Sequence, residues 1–221
     1  MSPDHLSALW LSIKVSVAAT ALNGAIGIPL AYLLARRRFR GRAVVDLLVT
    51  LPLVLPPTVT GYYLIVLLGR RGYLGAPLYE LTGWTVAFTW YAAVIAATVM
   101  ALPLLVRTAR AAIESVDPNF ERAAFTLGRS EWRTALEVTL PLARNGIIAG
   151  LALAFARALG EFGATIMLAG NIPGKTQTLP LSIYTAVQTG EAGQAMSLVG
   201  VLTLLSCVVV VASGRLGARP L

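Results

Sequence analysis

Arg157 and Glu161 stand four residues apart inside a long apolar stretch that runs to about Leu168. A helix puts both on one face, so each can neutralise the other where an isolated arginine at mid-span costs about 2.5 to 3.5 kcal/mol. Two readings follow. The pair borders a translocation path or gate, where the guanidinium attracts a dianion, or it is a structural ion pair near the outer end of a span. Thr58 and Thr60 come just after Pro56 and Pro57 and offer hydroxyls and freed backbone groups to a tetrahedral oxyanion. Irregular backbone at membrane depth persists only against protein or a water-filled cavity, and weak ligands suit a pore that has to release its ion. The alternative is that these threonines satisfy their own helix backbone.

Other chemistry is excluded more firmly. Gly170 to Thr176 looks like a phosphate loop, but the pattern needs glycine where Ala169 stands, and no strand precedes it. One cysteine, Cys207, and one histidine, His5, rule out an internal disulfide framework and leave no His/Cys metal site. Cys207 lies beside Val208 to Val211, where a small buried side chain is the default. No residues have the spacing of a catalytic set, so the chain reads as no enzyme, with no cofactor of its own.

The elements that must position these residues follow from composition. The 221 residues are 57% hydrophobic and 13% charged, with mean hydropathy +0.74 and a formal charge of +8. A soluble domain carries about 25% charged residues. Uncharged stretches of about 20 residues can cross a bilayer, and five are expected: Val15 to Ala35, Leu47 to Gly69, Thr85 to Val106, about Leu142 to Leu168 around the Arg157 and Glu161 pair, and Ala195 to Ser213. Pro52, Pro56 and Pro57 predict a kink or unwinding in the second, and splitting it would give six. Gly146, Gly150, Ala154 and Ala158 form a ladder of small side chains on the fourth, which lets helix backbones approach closely. The first stretch lacks a basic leader and stays as the first span. The expected fold is a single all-α polytopic domain over residues 1–221.

The basic residues fix the expected orientation. Arg36, Arg37, Arg38, Arg40 and Arg42 follow the first span, and Arg107, Arg110, Arg122, Arg129, Arg133 and Arg144 lie between the third and fourth. With Arg215 and Arg219 they make thirteen on one side against six acids, a surplus of seven, while the other side is neutral. The N-terminus is therefore expected outside and the C-terminus inside. The arginines read as orientation and contact with anionic membrane lipid, not as a nucleic-acid surface, which would want accompanying aromatic residues.

The longest inside segment, residues 107–140, predicts a short helix. Asp117 can cap it, Pro118 suits its first position and Gly128 its left-handed end. Phe120, Ala123, Ala124 and Leu127 share one face. Such a helix is shaped to sit in another protein's groove; the alternative is that it lies on its own membrane surface.

In this segment the sequence resembles the inner-membrane permeases of binding-protein-dependent ABC importers. Their hallmark is Glu-Ala-Ala, three residues, Gly, nine residues, then Ile-x-Leu-Pro. Here Ala123-Ala124, Gly128 and Val138-Thr139-Leu140-Pro141 hold that spacing, with Val138 in place of isoleucine. Arg122 takes the glutamate position and Glu121 sits one residue upstream, about 100° around the helix. The family's glutamate contact is therefore not carried over to Glu121. Leu53 to Val59, Ala156 to Thr165 and Ala169 to Pro180 are similar to the molybdate-type branch, and sulfate/thiosulfate permeases share part of that wording. The resemblance implies a type I ABC importer permease fold in a bacterial inner membrane, with residues 107–140 as the coupling-helix loop and Glu121, Arg122, Ala123, Ala124 and Gly128 in the ATPase-coupling segment. It implies a second copy of this chain, a dimer of cytoplasmic ATPase subunits that use ATP and Mg, and an extracytoplasmic binding protein that delivers the oxyanion. Molybdate is the expected ion, with tungstate and sulfate/thiosulfate as alternatives; an ATP-independent channel or carrier is the reading from another class.

Overall fold

A computed structural model describes the backbone of residues 3–217 and the side chains of residues 5–211. Arg219 and the side chain of Arg215, counted above with the inside charges, lie outside the described residues. Every element among the described residues is helical. Three helices are long and apolar enough to cross a bilayer unbroken: α1 (Pro3–Arg36), α5 (Trp90–Glu114) and α12 (Ala192–Gly217).

The second expected span is two helices, α2 (Arg42–Val54) and α3 (Pro57–Leu68), bent by 120°. The residue before a proline is pushed out of the helical region, and Leu55 is extended at φ −72°, ψ 144°. Pro57 then opens α3 from its first position, where a missing N–H costs nothing. A short outer helix, α4 (Gly75–Thr82), leads to α5.

The fourth expected span is also broken. After α6 (Pro118–Thr126), a segment made of α7 (Glu131–Thr134), a π-helical turn (Ala135–Thr139) and α8 (Leu140–Leu142) meets α9 (Arg144–Leu159) at 77°. With 16 residues, α9 is about 24 Å long, short of a hydrocarbon core of about 30 Å. The chain breaks at Gly160 to Phe162 and continues as α10 (Gly163–Ala169) and α11 (Leu179–Gln188). Taking each bent pair as one span gives five.

The middle of the bundle is α5, with 61% of its most apolar window buried against 28% for α1 and 11% for α12. Ala92, Ala93, Ala96, Ala97, Ala101 and Ala109 are fully buried on it. The small-residue ladder of α9 packs here, within the subunit: a Cβ on Gly146 would lie 2.3 Å from the Ala112 Cβ, and one on Gly150 would lie 3.0 Å from Leu105 Cδ1. Helix α5 also runs to Glu114, so the expected loop over 107–140 starts with two more turns of helix. Arg107 and Arg110 lie on those turns, and Arg110 pairs with Glu114 and Asp46 at 2.8 and 3.2 Å.

Candidate functional site

The two helix breaks meet. A Cβ on Gly163 would lie 2.7 Å from the Pro57 Cβ and 3.3 Å from the Thr58 nitrogen, and one on Gly61 would lie 2.8 Å from the Ala164 Cα. Helices α3 and α10 therefore cross backbone to backbone, with a glycine from each at the crossing. Thr58 is exposed at the start of α3, beside Gly163. Thr60 is 6% exposed and lines an apolar cavity of about 500 Å³ with Leu48, Pro52, Leu55, Tyr63 and Val99. A dianion there would meet no cation. Thr58 thus joins the junction, and Thr60 points away from it.

Glu161 stands at this junction with its side chain 1% exposed. Its Oε1 accepts the Ala164 N–H at 2.8 Å, and its Oε2 lies 2.6 Å from Arg157 Nη1. The carboxylate therefore caps the start of α10 and neutralises Arg157 on α9. The cap was not foreseen from the sequence, where Gly160-Glu161-Phe162-Gly163 is the sole local sign of a break. The Arg157 side chain is 25% exposed. The geometry is compatible with both readings of the pair, since Glu161 holds the fold while the Arg157 side chain stays 25% exposed.

Beyond α10 the segment resembling a phosphate loop folds on itself. The Ile172 carbonyl accepts the N–H groups of Lys175, Thr176 and Gln177, and Thr176 Oγ1 accepts the Ile172 N–H at 3.0 Å. These four amides are spent on the loop itself rather than held open for a phosphate. Asn171, Gln177 and Thr185 close it with side-chain bonds at 2.9 Å.

A second site forms on the arginine-rich side. The Asp117 side chain accepts the Asn119 N–H at 2.9 Å, and Pro118 takes the first helical position of α6. At the far end Gly128 has φ +76°, the Gly128 N–H bonds the Phe125 carbonyl, and the Arg129 N–H bonds the Ala124 carbonyl. That is the paired 5→2 and 6→1 closure that a left-handed glycine allows. The apolar stripe divides. Ala124 is 7% exposed and faces the bundle, while Phe120 and Leu127 are 56% and 82% exposed, with Ala123 beside them. The structure therefore packs Ala124 on the chain and leaves Phe120, Ala123 and Leu127 open.

Glu121 and Arg122 point to different sides. Glu121 Oε1 accepts from Arg36 Nε at 2.8 Å and from Thr139 Oγ1 at 2.7 Å. Arg122 is exposed and, among the described residues, bonds Asn119 on its own helix at 3.4 Å. The one-residue step from the family position puts Glu121 on a different side of the helix from Arg122, and there it meets Arg36 and Thr139.

Known proteins share the sequence and the fold of this chain. Residues 27–218 match the family described as binding-protein-dependent transport system inner membrane component. The chain is 53% identical over 197 residues to the molybdenum transport system permease protein ModB of Escherichia coli K12, covering 88% of this chain and 86% of that protein. It is 44% identical to ModB of Haemophilus influenzae over 216 residues, covering 97% and 94%. It is 34% identical to the sulfate transport system permease protein CysT of Escherichia coli K12 over 218 residues, covering 99% and 78%. Among solved structures, an inward-facing MetNI methionine ABC transporter matches with TM-score 0.76 at 18% identity, covering 98% of each chain. A bacterial alginate ABC transporter in complex with alginate pentasaccharide-bound periplasmic protein matches with TM-score 0.78 at 17% identity, covering 99% and 80%.

Proposed function

The chain belongs to the family of binding-protein-dependent transport system inner membrane components, and on that premise we propose that it is the inner-membrane permease of an ABC importer that carries molybdate. The observation that carries the ion is the 53% identity to a molybdenum permease along nearly the full length of both chains. The 34% identity to the sulfate permease over 99% of this chain keeps sulfate as the second reading. The chain is a transport subunit rather than an enzyme.

Two copies would enclose the path, with the α3 and α10 junction toward it. Thr58 hydroxyl and the open part of Arg157 would meet the dianion there. Glu161 would keep the arginine from holding it too tightly, since a path site has to release its ion. The exposed stripe of Phe120, Ala123 and Leu127 on α6 would sit in a groove of a cytoplasmic ATPase subunit, which uses ATP and Mg. The N-terminus would lie outside, and the loop from Gly170 to Thr178 would face the delivering binding protein. ATP can drive the cycle only by binding one arrangement of the assembly more tightly than the other. The loops' charges and the open stripe support this reading.

The test is ATPase stimulation in the reconstituted complex with the binding protein present. Molybdate is expected to stimulate, tungstate to compete, and sulfate to do neither. Stimulation by sulfate but not molybdate would overturn the ion assignment.

A further inference from the structure

We propose that Glu121 is a positioning residue that locks the docking helix α6 to the membrane spans, so that force on α6 reaches α1 and α9 together. The proposal rests on the reading of α6 as the ATPase-docking helix and deepens it.

Three elements distant in sequence converge on one carboxylate oxygen. Arg36, the last residue of α1, donates Nε–H to Glu121 Oε1 at 2.8 Å, and its Nη2 donates to the Val116 carbonyl at 2.9 Å. Thr139, the last residue of the π-helical turn, donates its hydroxyl to the same oxygen at 2.7 Å. The side chains of Arg36 and Glu121 are 15% and 13% exposed, and Thr139 is fully buried. A charge-assisted bond out of bulk water is stronger and less screened than a surface pair. It also has no flexible linker in it: each partner sits on helical backbone or at its end.

The π-helical turn matters here. Five residues, Ala135–Thr139, carry it just before the elbow into α9. Such turns are rare and shift every following side chain around the helix axis. Thr139 is the residue on which this one ends, and its hydroxyl reaches α6. The residue just after α1 adds a more exposed pair, since Arg37 meets Glu131 at the start of α7. Consecutive arginines thus hold both arms of the loop, Arg36 at α6 and Arg37 at α7. Helix α1 packs in turn along the central helix α5, where Gly27 meets Leu105. A push on α6 has a stiff route into the bundle through Glu121, and a slack one without it.

The test uses the reconstituted permease, ATPase and binding-protein complex and reads anion imported per ATP hydrolysed. Glu121→Gln keeps an acceptor for both donors but removes the charge; it is expected to assemble and to lower that ratio about fivefold, the order of the difference between a charge-assisted and a neutral hydrogen bond. Thr139→Val should lower it less, and Thr139→Ser should keep it. The swap Arg36→Glu with Glu121→Arg should recover much of the loss. An unchanged ratio in assembled Glu121→Gln overturns the proposal. If that variant does not assemble, Thr139→Val, which removes one bond and no charge, decides by the same ratio. Cross-linking of Leu127→Cys to the ATPase separates the two levels. No cross-link refutes the docking reading itself, whereas a cross-link with full coupling in the variants refutes only the role of Glu121.

Discussion

Arg36 and Glu121 are 85 residues apart in the chain and meet at 2.8 Å on the arginine-rich side; Arg157 and Glu161 are four apart and meet at 2.6 Å at the α3 and α10 junction. Both are partly buried Arg–Glu pairs, yet they constrain different things. The first joins α1, α6 and the π-helical turn, so it fixes elements relative to one another. The second stays within one turn of chain and stabilises a break, with the carboxylate capping α10 and balancing a charge at membrane depth. A local pair can keep a site in shape but transmits little, whereas a long-range pair transmits only if its elements are rigid. The contrast predicts that damage at the junction is read in folding and ion passage, and damage at the α6 pin in coupling.

The strongest way to break the contrast is to remove the whole docking element. Deleting Pro118 to Leu127 is expected to abolish uptake in the reconstituted complex while leaving the ATPase subunits active by themselves. Uptake that persists in the deletion would remove the cytoplasmic half of the comparison altogether. Next comes Glu161→Ala, which strands Arg157 and uncaps α10 together. Breaking a buried pair from one side costs about 3 to 5 kcal/mol, and the 25% exposure of the Arg157 side chain places the expected loss at the lower end. Thermal unfolding of the purified permease measures it. Arg157→Gln should instead leave assembly intact and reduce transport, because the amide can still bond Glu161 but no longer attracts a dianion. An unassembled Arg157→Gln protein would make the pair structural only.

The crossing of the two breaks is tested by Gly61→Ala. The new methyl would stand 2.8 Å from the Ala164 Cα and 2.7 Å from the Met167 Cβ. Backbone on one side cannot swing away as a side chain would, so the helices must separate. Overpacking of this kind costs about 1 to 3 kcal/mol. The expected outcome is a lower unfolding temperature together with altered ion passage; an unchanged protein would show that the crossing is looser than its geometry.

How far these regions were legible in sequence follows the same division. The cytoplasmic helix was readable from Asp117, Pro118 and Gly128 because capping is local chemistry, and the kink of the second span from its prolines for the same reason. The inward turn of Glu121 was half readable: its offset from the family position gave the rotation, while Arg36 and Thr139 are brought to it by tertiary packing that no local pattern records. The break at Gly160 was hidden because apolar residues continue on both sides of it, so hydropathy runs on where the helix does not. The continuation of α5 to Glu114 was missed because Arg107 and Arg110 look like loop residues, although a helix leaving the bilayer carries charge as readily as a loop does. Five stretches of chain near the expected spans are present, and the irregularities inside two of them build the junction.

The smallest effect sharpens the comparison most finely, since Asp117 and Glu161 are both carboxylates that accept an N–H at the start of a helix. Asp117 is exposed and bonds the Asn119 N–H at 2.9 Å. Loss of such a cap costs about 1 kcal/mol, and α6 is held from its other end by the Gly128 closure and along its length by Glu121. Asp117→Ala is therefore expected to lower stability only slightly and to weaken coupling by less than Glu121→Gln does. Asp117→Asn should be silent, because asparagine caps as well as aspartate. Glu161→Gln keeps an acceptor for the Ala164 N–H but removes the charge beside Arg157, so it should not be silent. If the two amide variants behave alike, the charge at the junction is dispensable and the distinction between a cap in water and a cap at membrane depth fails.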